Sequence, residues 1–286
     1  MRGVAHLDVR APVNEAAFHD FEREGWQRAA EFYGDAFGSV TSQAAGPLLD
    51  AAGVERGTRV LDVACGPGFI AGAAADRGAI VTGLDFSSAM IAEARRRRPA
   101  LTFRDGDAEQ LPFDTGTFDA VVMNFGMLHL ARPEAAAAEA HRVLRPGGRY
   151  AFTVWAPPDQ AVGFGMVLRA IEELGTMDVG LPPGPPFFQF SDPATTKATL
   201  GGAGFHDVEV DTIPIAWTLR SPDAVFDAIS RGGVRTAAVL RAQKPDVLER
   251  IRAAVRAAAE RYRRNDGSLV IPMPAVLSSA RRAAVR

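Results

Sequence analysis

The chain has 286 residues, 47% of them apolar and 23% charged, with a formal net charge of −2 at pH 7. Such a chain is long enough for one large domain or a core with a cap, and it lacks the overall basic field that draws in nucleic acid. No apolar run approaches the roughly 20 residues that span a bilayer, and the amino terminus has no apolar segment of the secretory-signal kind. The lone cysteine, Cys65, excludes an intramolecular disulfide and suits a reducing cytoplasm.

Residues 1–14 carry no periodicity, as expected of a poorly ordered terminus. From Glu15 to Ala36 the apolar residues Phe18, Phe21, Trp26, Ala29, Ala30 and Phe32 follow helical spacing, with Tyr33 beside them. Gly46 to Ala52 reads as a second helix leading to the first strand. The stretch from Arg59 to Asp85 organises the rest. Val60, Leu61, Val63 and Ala64 form the apolar run of a strand covered on both faces. Gly66 and Gly68 suit a sharp turn with close approach of a ligand, and small residues from Ala71 to Ala75 let a helix pack closely on the sheet. Ile80 to Leu84 make a second strand. Asp85 at its end stands 23 positions after Asp62, about where the acid of a nucleotide-binding βαβ unit grips ribose hydroxyls.

Ser87 is placed to cap a helix through Arg98, whose four terminal arginines, Arg95 to Arg98, read as a solvated helix end. Leu101 to Arg104 predicts strand three, running into Asp105-Gly106-Asp107. Phe118 to Asn124 predicts strand four, and Pro133 opens a helix to Leu144 before strand five, Arg149 to Trp155. Beyond Trp155 come a helix over 160–174, a proline-stiffened loop from Leu181 to Phe190, a helix from Asp192 to Leu200, and strand six from Val208 to Leu219. Residues 222–264 read as mostly helical, with a basic, solvated face on the helix from Pro245. Pro272 and Pro274 cannot donate ladder bonds, so strand seven is expected from Ala275 to Arg281.

The glycines, Gly66-x-Gly68-x-x-x-Gly72, depart from the dinucleotide spacing GxGxxG. With the preceding acid, Asp62-x-x-x-Gly66-x-Gly68 resembles motif I of the class I S-adenosylmethionine-dependent methyltransferases. Three further stretches stand where that family has its later motifs: Gly106-Asp107-Ala108-Glu109-Gln110-Leu111-Pro112-Phe113, Phe118-Asp119-Ala120-Val121-Val122-Met123-Asn124, and Arg142-Val143-Leu144-Arg145-Pro146-Gly147-Gly148. Together they resemble the ubiquinone/menaquinone-biosynthesis-type branch of small-molecule methyltransferases, over residues 58–156. The fold expected is α/β: a Rossmann-like, seven-stranded, mostly parallel sheet with helices on both faces, an antiparallel last strand, and a helical cap inserted between strands six and seven. The expected division is a lid over 1–57, a core over 58–221 and 268–286, and a cap over 222–267.

Strands alternating with helices place ligands at the strands' carboxyl ends, which supply Ala64 to Gly68, Asp85, Asp107 and Asn124. By the resemblance, the turn at Cys65 and Gly66 faces the methionine part of S-adenosylmethionine. Asp85 accepts from the ribose, Phe86 and Met90 contact adenine, and Asp107 with the Ala108 backbone meets the base edge. Asp62, Ala64, Gly68 and Asn124 complete the expected cofactor set. Asp107 has a plainer alternative as a helix cap. Methyl transfer from a cationic sulfur needs mainly alignment, which leaves S-adenosylhomocysteine, and a base only if the acceptor must lose a proton. His129 is the first candidate for that base and Tyr33 the second; a histidine there serves equally to fix its loop by hydrogen bonding. Trp26, Tyr33, Phe187, Phe188 and Trp217 are candidate walls for a small, largely apolar acceptor, or alternatively anchors of lid to core. No His, Cys or carboxylate cluster has metal-ligand spacing. A nicotinamide-dependent oxidoreductase, and a protein of this fold that binds the cofactor without transferring its methyl, are the competing readings.

Overall fold

The computed structural model describes residues 14–284; the expectation for residues 1–13 lies outside them. Asn14 caps α1 (Glu15–Ala36) by accepting from the Ala17 N–H. The short α2 (Gly38–Thr41), a 3-10 turn and α3 (Ala45–Ala51) bring the chain to the sheet. There β1 (Arg59–Val63), α4 (Phe69–Asp76), β2 (Ile80–Asp85), α5 (Ser88–Arg97) and β3 (Thr102–Asp105) follow, stepping outward from β1 to the sheet edge at β3. The chain then returns through β4 (Phe118–Asn124), α6 (Pro133–Val143) and β5 (Leu144–Trp155) on the other side of β1.

The sheet order is β3-β2-β1-β4-β5 with two further strands beyond β5, so strand order reverses between β1 and β4. Alternation along the central strands divides the interior into two layers. Leu61, Val63, Val121, Met123, Tyr150 and Phe152 pack on one face. Val60, Ala120, Val122 and Ala151 pack on the other. Burial on both faces explains the near-continuous apolar runs.

After α7 (Val162–Leu174) and α8 (Pro193–Gly202), the stretch expected as one strand six divides into β6 (His206–Ile213) and β7 (Ala216–Leu219). Pro214, which has no N–H to donate, sits at the break. The helices α9 (Asp223–Gly232), α10 (Arg235–Arg241) and α11 (Pro245–Ala259) then precede β8 (Leu269–Pro272) and β9 (Ala275–Arg281). The prolines did not prevent β8: it pairs with β7 as a two-stranded ribbon separate from the main sheet, and Pro272 is its last residue. The seventh strand, β9, lies between β5 and β6 and is antiparallel to both. Among the described residues no helix is long and apolar enough to cross a membrane.

Candidate active site

The turn after β1 is held in shape by its own backbone. The Cys65 N–H donates to the Leu84 carbonyl at 3.0 Å, and the Gly68 N–H donates to the Cys65 carbonyl at 2.9 Å. Ala64 and Gly66 both have positive φ, +53° and +51°. A Cβ on Gly66 would meet no protein atom within 4 Å, so the space above the turn stays open. Asp62, expected at the ligand, is instead sealed beneath the turn. Its Oδ2 accepts from the Ala71 N–H at 2.8 Å, capping the first turn of α4 where Gly68 has no side chain to do so. Its Oδ1 is buried without a partner. Burial, aided by the Asp85 charge, pushes the Asp62 carboxyl up to about 8.

Cys65 and Gly68 also fall outside the cavity lining, because their backbone groups are spent inside the turn. Burial pushes the Cys65 thiol well above its ordinary value, which makes it inert as a nucleophile. Asp85 does reach the cavity. Its Oδ2 accepts from the Gly66 N–H at 2.8 Å and its Oδ1 from the Ser87 N–H at 2.9 Å. Each carboxylate oxygen has a second lone pair, so two acceptor positions remain. Burial raises this carboxyl to about 6 despite those bonds.

The cavity stands at the carboxyl ends of β1, β2 and β4 and encloses about 660 Å³, part of it open to solvent. Ala64, Gly66, Asp85, Phe86, Met90, Asp107, Ala108 and Asn124 from the sequence-predicted set line it. Asn124 brings little free polarity. Its Nδ2 donates to the Thr41 carbonyl and its Oδ1 accepts from the Thr153 hydroxyl at 2.6 Å. Asp107 accepts from the Glu109 N–H with one oxygen, closing a turn rather than capping a helix, since none follows before β4; the other stands 3.2 Å from His19 Nε2, which is buried with no properly aligned partner.

The roof is α1. His19, Trp26 and Tyr33, seven residues apart, form one stripe of the helix over the cavity. Gln27 ties that helix to the start of α5. Its Oε1 accepts from the Ser87 hydroxyl and the Ala89 N–H, and its Nε2 donates to the Ser88 hydroxyl. A second cavity, of about 470 Å³, adjoins the first and shares Trp26, Tyr33, Phe125 and His129 with it. Phe37, Trp155, Phe164, Phe187 and the start of α10 complete its walls. Phe125, strained at φ +54°, stacks on Trp155 with ring centroids 4.0 Å apart.

Two expected wall residues are elsewhere. Trp217 is fully buried, stacked on Phe37 at 5.1 Å, and Phe188 packs edge-on to Phe187 outside the lining. Both are anchors. Tyr33 is a wall but not a base: burial holds its phenol up at about 12, so at neutral pH it keeps its proton. His129 lies at the junction of the cavities, its Nδ1 2.9 Å from Glu22 Oε2.

Glu22 is the residue that sequence reasoning missed. It is wholly buried, and its Oε1 accepts from Arg235 Nε at 2.8 Å. Arg235 further donates to the carbonyls of Pro185 and Leu128 and lies over the Phe18 ring. Burial works to raise the Glu22 carboxyl, but the charges and hydrogen bonds of His129 and Arg235 outweigh it and hold the group below its ordinary value. The signal was present: Glu22 follows Phe18 and precedes Trp26 by one helical turn each, an acid in the apolar stripe. Among the described residues no group of His, Cys, Asp and Glu is arranged to hold a metal ion.

A parallel sheet reversing between β1 and β4, one antiparallel strand beside β5, and a cavity at the reversal bounded by a glycine turn and an acid ending β2 define the class I methyltransferase fold. Residues 61–152 match the family model described as a methyltransferase domain. That stretch is similar to the methyltransferase domains of quinone-biosynthesis relatives, and the solved structures share its fold. Over 121 residues the chain is 46% identical to a demethylmenaquinone methyltransferase of Beutenbergia cavernae, covering 41% of this chain and 50% of the relative. Over 146 residues it is 37% identical to a malonyl-[acyl-carrier protein] O-methyltransferase of Enterobacter lignolyticus, covering 51% of this chain and 57% of that one. The chain thus spans about half the length of the curated relatives it matches. Among solved structures, Haemonchus contortus phosphoethanolamine N-methyltransferase 2 in complex with S-adenosyl-L-methionine superposes with a TM-score of 0.59. It is 18% identical, over 93% of this chain and 60% of that one, a likeness of fold.

Proposed function

We propose that the protein is an S-adenosylmethionine-dependent methyltransferase acting on a small, largely apolar molecule. The observation that carries this reading is the pair of adjoining cavities, one with the polar fittings of an adenosyl cofactor and the other walled by aromatic rings. The residues present suit the cofactor. The open space over Gly66 admits a chain against the turn, Asp85 keeps two acceptor positions for ribose hydroxyls, and Phe86 and Met90 offer apolar contact to the base. Asp107 and the unpartnered His19 Nε2 stand at the polar edge. Bound there, S-adenosylmethionine supplies a methyl group on a cationic sulfur, a leaving group already activated.

The chain's own part is alignment and exclusion of water. Trp26, Tyr33 and Phe125, shared by both cavities, bring aromatic rings to the junction, which suits a cation and excludes solvent. Holding acceptor and methyl in line supplies effective molarities of roughly 10⁵ M or more. We assign α1 the part of a lid and residues 222–267 that of a cap. The named substrates of the two relatives differ in chemistry, so neither is carried over to the second cavity. The test is incubation with labelled S-adenosylmethionine and a panel of phenols, carboxylic acids and amines, read by mass as gain of one methyl group. Calorimetry runs alongside. Tight cofactor binding with no transfer to any acceptor would leave a binding protein, and tighter binding of NADH would favour the oxidoreductase.

A further inference from the structure

His129 projects from the 3-10 turn after β4, Glu22 from the middle of α1 and Arg235 from the first turn of α10, so three distant segments meet at one buried point. The geometry determines what each can do. Arg235 spends Nε on Glu22 and its two terminal nitrogens on the carbonyls of Pro185 and Leu128, which fixes both guanidinium and carboxylate. Glu22 is thereby ionised and acceptor-only, so the nitrogen that faces it, His129 Nδ1, is the one that carries the proton. Neutral imidazole then has its lone pair on Nε2. Among the described residues Nε2 has no hydrogen-bond partner, and it is not sealed from open space. The ring itself is clamped edge-on between Trp26 at 4.8 Å and Phe187 at 5.8 Å.

Resting on the methyltransferase reading, we propose that Glu22 is a positioning residue for His129. It fixes the tautomer and orientation in which Nε2 takes the proton that the acceptor loses. The acceptor's X–H bond would break, its electron pair staying on X to form the bond to the methyl carbon while the proton moves to Nε2. The carbon–sulfur bond would break with its pair going to sulfur, so that S-adenosylhomocysteine is the leaving group. The imidazolium so formed is balanced by the Glu22 carboxylate and releases its proton to water after the product leaves. The burial of Glu22 has a purpose on this account: a carboxylate wholly out of water, with Arg235 as counter-ion, holds a histidine far more firmly than an exposed one would.

The test compares the full-length wild type with Glu22→Gln, His129→Gln and the double variant. Nitrogen NMR of isotope-labelled histidine, at mildly alkaline pH and without cofactor, reads the tautomer. Methyl transfer to hydroquinone, kept reduced as a small apolar phenol of that panel, reads the rate. The expected wild-type ring is protonated at Nδ1 and bare at Nε2. Glu22→Gln is expected to abolish that preference and lower kcat at least about tenfold, and by no more than the roughly 10²–10⁴-fold of the general base it positions, with cofactor affinity unchanged. In the His129→Gln background the same change should cost nothing further. A wild-type ring protonated at Nε2 overturns the proposal, as does an equal loss from Glu22→Gln in both backgrounds. Should Glu22→Gln fail to fold, or the wild type leave the hydroquinone unmethylated, the wild-type tautomer alone decides. Failure of the underlying reading shows separately, as loss of S-adenosylmethionine binding by the wild type.

Discussion

Around the first cavity the shape is set by the main chain: the turn from Ala64 to Gly68, the N–H groups of Gly66 and Ser87 that hold the Asp85 carboxylate in place, and the ends of three parallel strands. Around the second they are side chains, chiefly rings, brought from α1, the ends of β4 and β5, α7, the proline-rich loop and α9–α10. A backbone cradle tolerates little variation, since its shape is set by strand geometry and by a few positive-φ positions. A wall of rings can be recut one residue at a time. Any fold that must keep one cofactor and change its acceptor would divide the labour in this way, and the methyltransferase domain match, residues 61–152, contains the first cavity's strand ends but not the second's lid.

The sharpest test of that contrast is Asp85→Ala. Losing charge-assisted hydrogen bonds of roughly 1.5–3 kcal/mol each should weaken S-adenosylmethionine binding about 10- to 150-fold per bond by calorimetry, while the acceptor cavity stays intact. Protonation does the same more gently. With the Asp85 carboxyl raised to about 6, cofactor affinity should fall as pH drops through that value, and Asp85→Asn should be insensitive over the same window. On the other side, Phe187→Leu should raise the acceptor KM several-fold and leave cofactor affinity alone. Phe188→Leu, outside the lining, should lower the melting temperature slightly without changing kinetics. An acceptor KM that responds to both equally would dissolve the distinction between wall and anchor.

A further prediction concerns stability. Asp62 titrates at about 8 in the folded chain against an ordinary 3.8, so the folded state holds its proton longer than the unfolded one. Its contribution is fully present below about pH 4 and is lost as pH rises through about 8. Thermal melts of the wild type should decline over that window, and Asp62→Asn should flatten part of the slope.

What could be read beforehand divides along the same line. The run from Val60 to Asp85 was legible because strand, turn, helix and strand each follow from neighbouring residues; α1 was legible from its apolar period, and its bounds agree with the expectation. The role of Asp62 was misplaced because sequence spacing reports proximity to the turn, not which side of it a carboxylate occupies. Strand six was misread because alternation continues across Pro214 while the hydrogen-bond partner changes from β9 to β8. Glu22 and Arg235 stand 213 positions apart, and no local pattern links them. Trp217 and Phe188 share the composition of wall residues and differ only in packing, which a single chain does not spell out.

The bond between Glu22 and Arg235 also constrains how a guest could leave. Lifting α1 alone would strand a guanidinium in an apolar interior, at a cost of about 3–5 kcal/mol for a broken buried pair. Lifting α1 together with α10 would keep the pair and give up instead the two carbonyls of Pro185 and Leu128 and the Glu22–His129 bond, with Gln27's exposed bonds to α5 as the hinge side. On the lid proposal, helix α1 and the start of α10 would move as one door, with the Glu22–Arg235 pair as the latch on its buried edge.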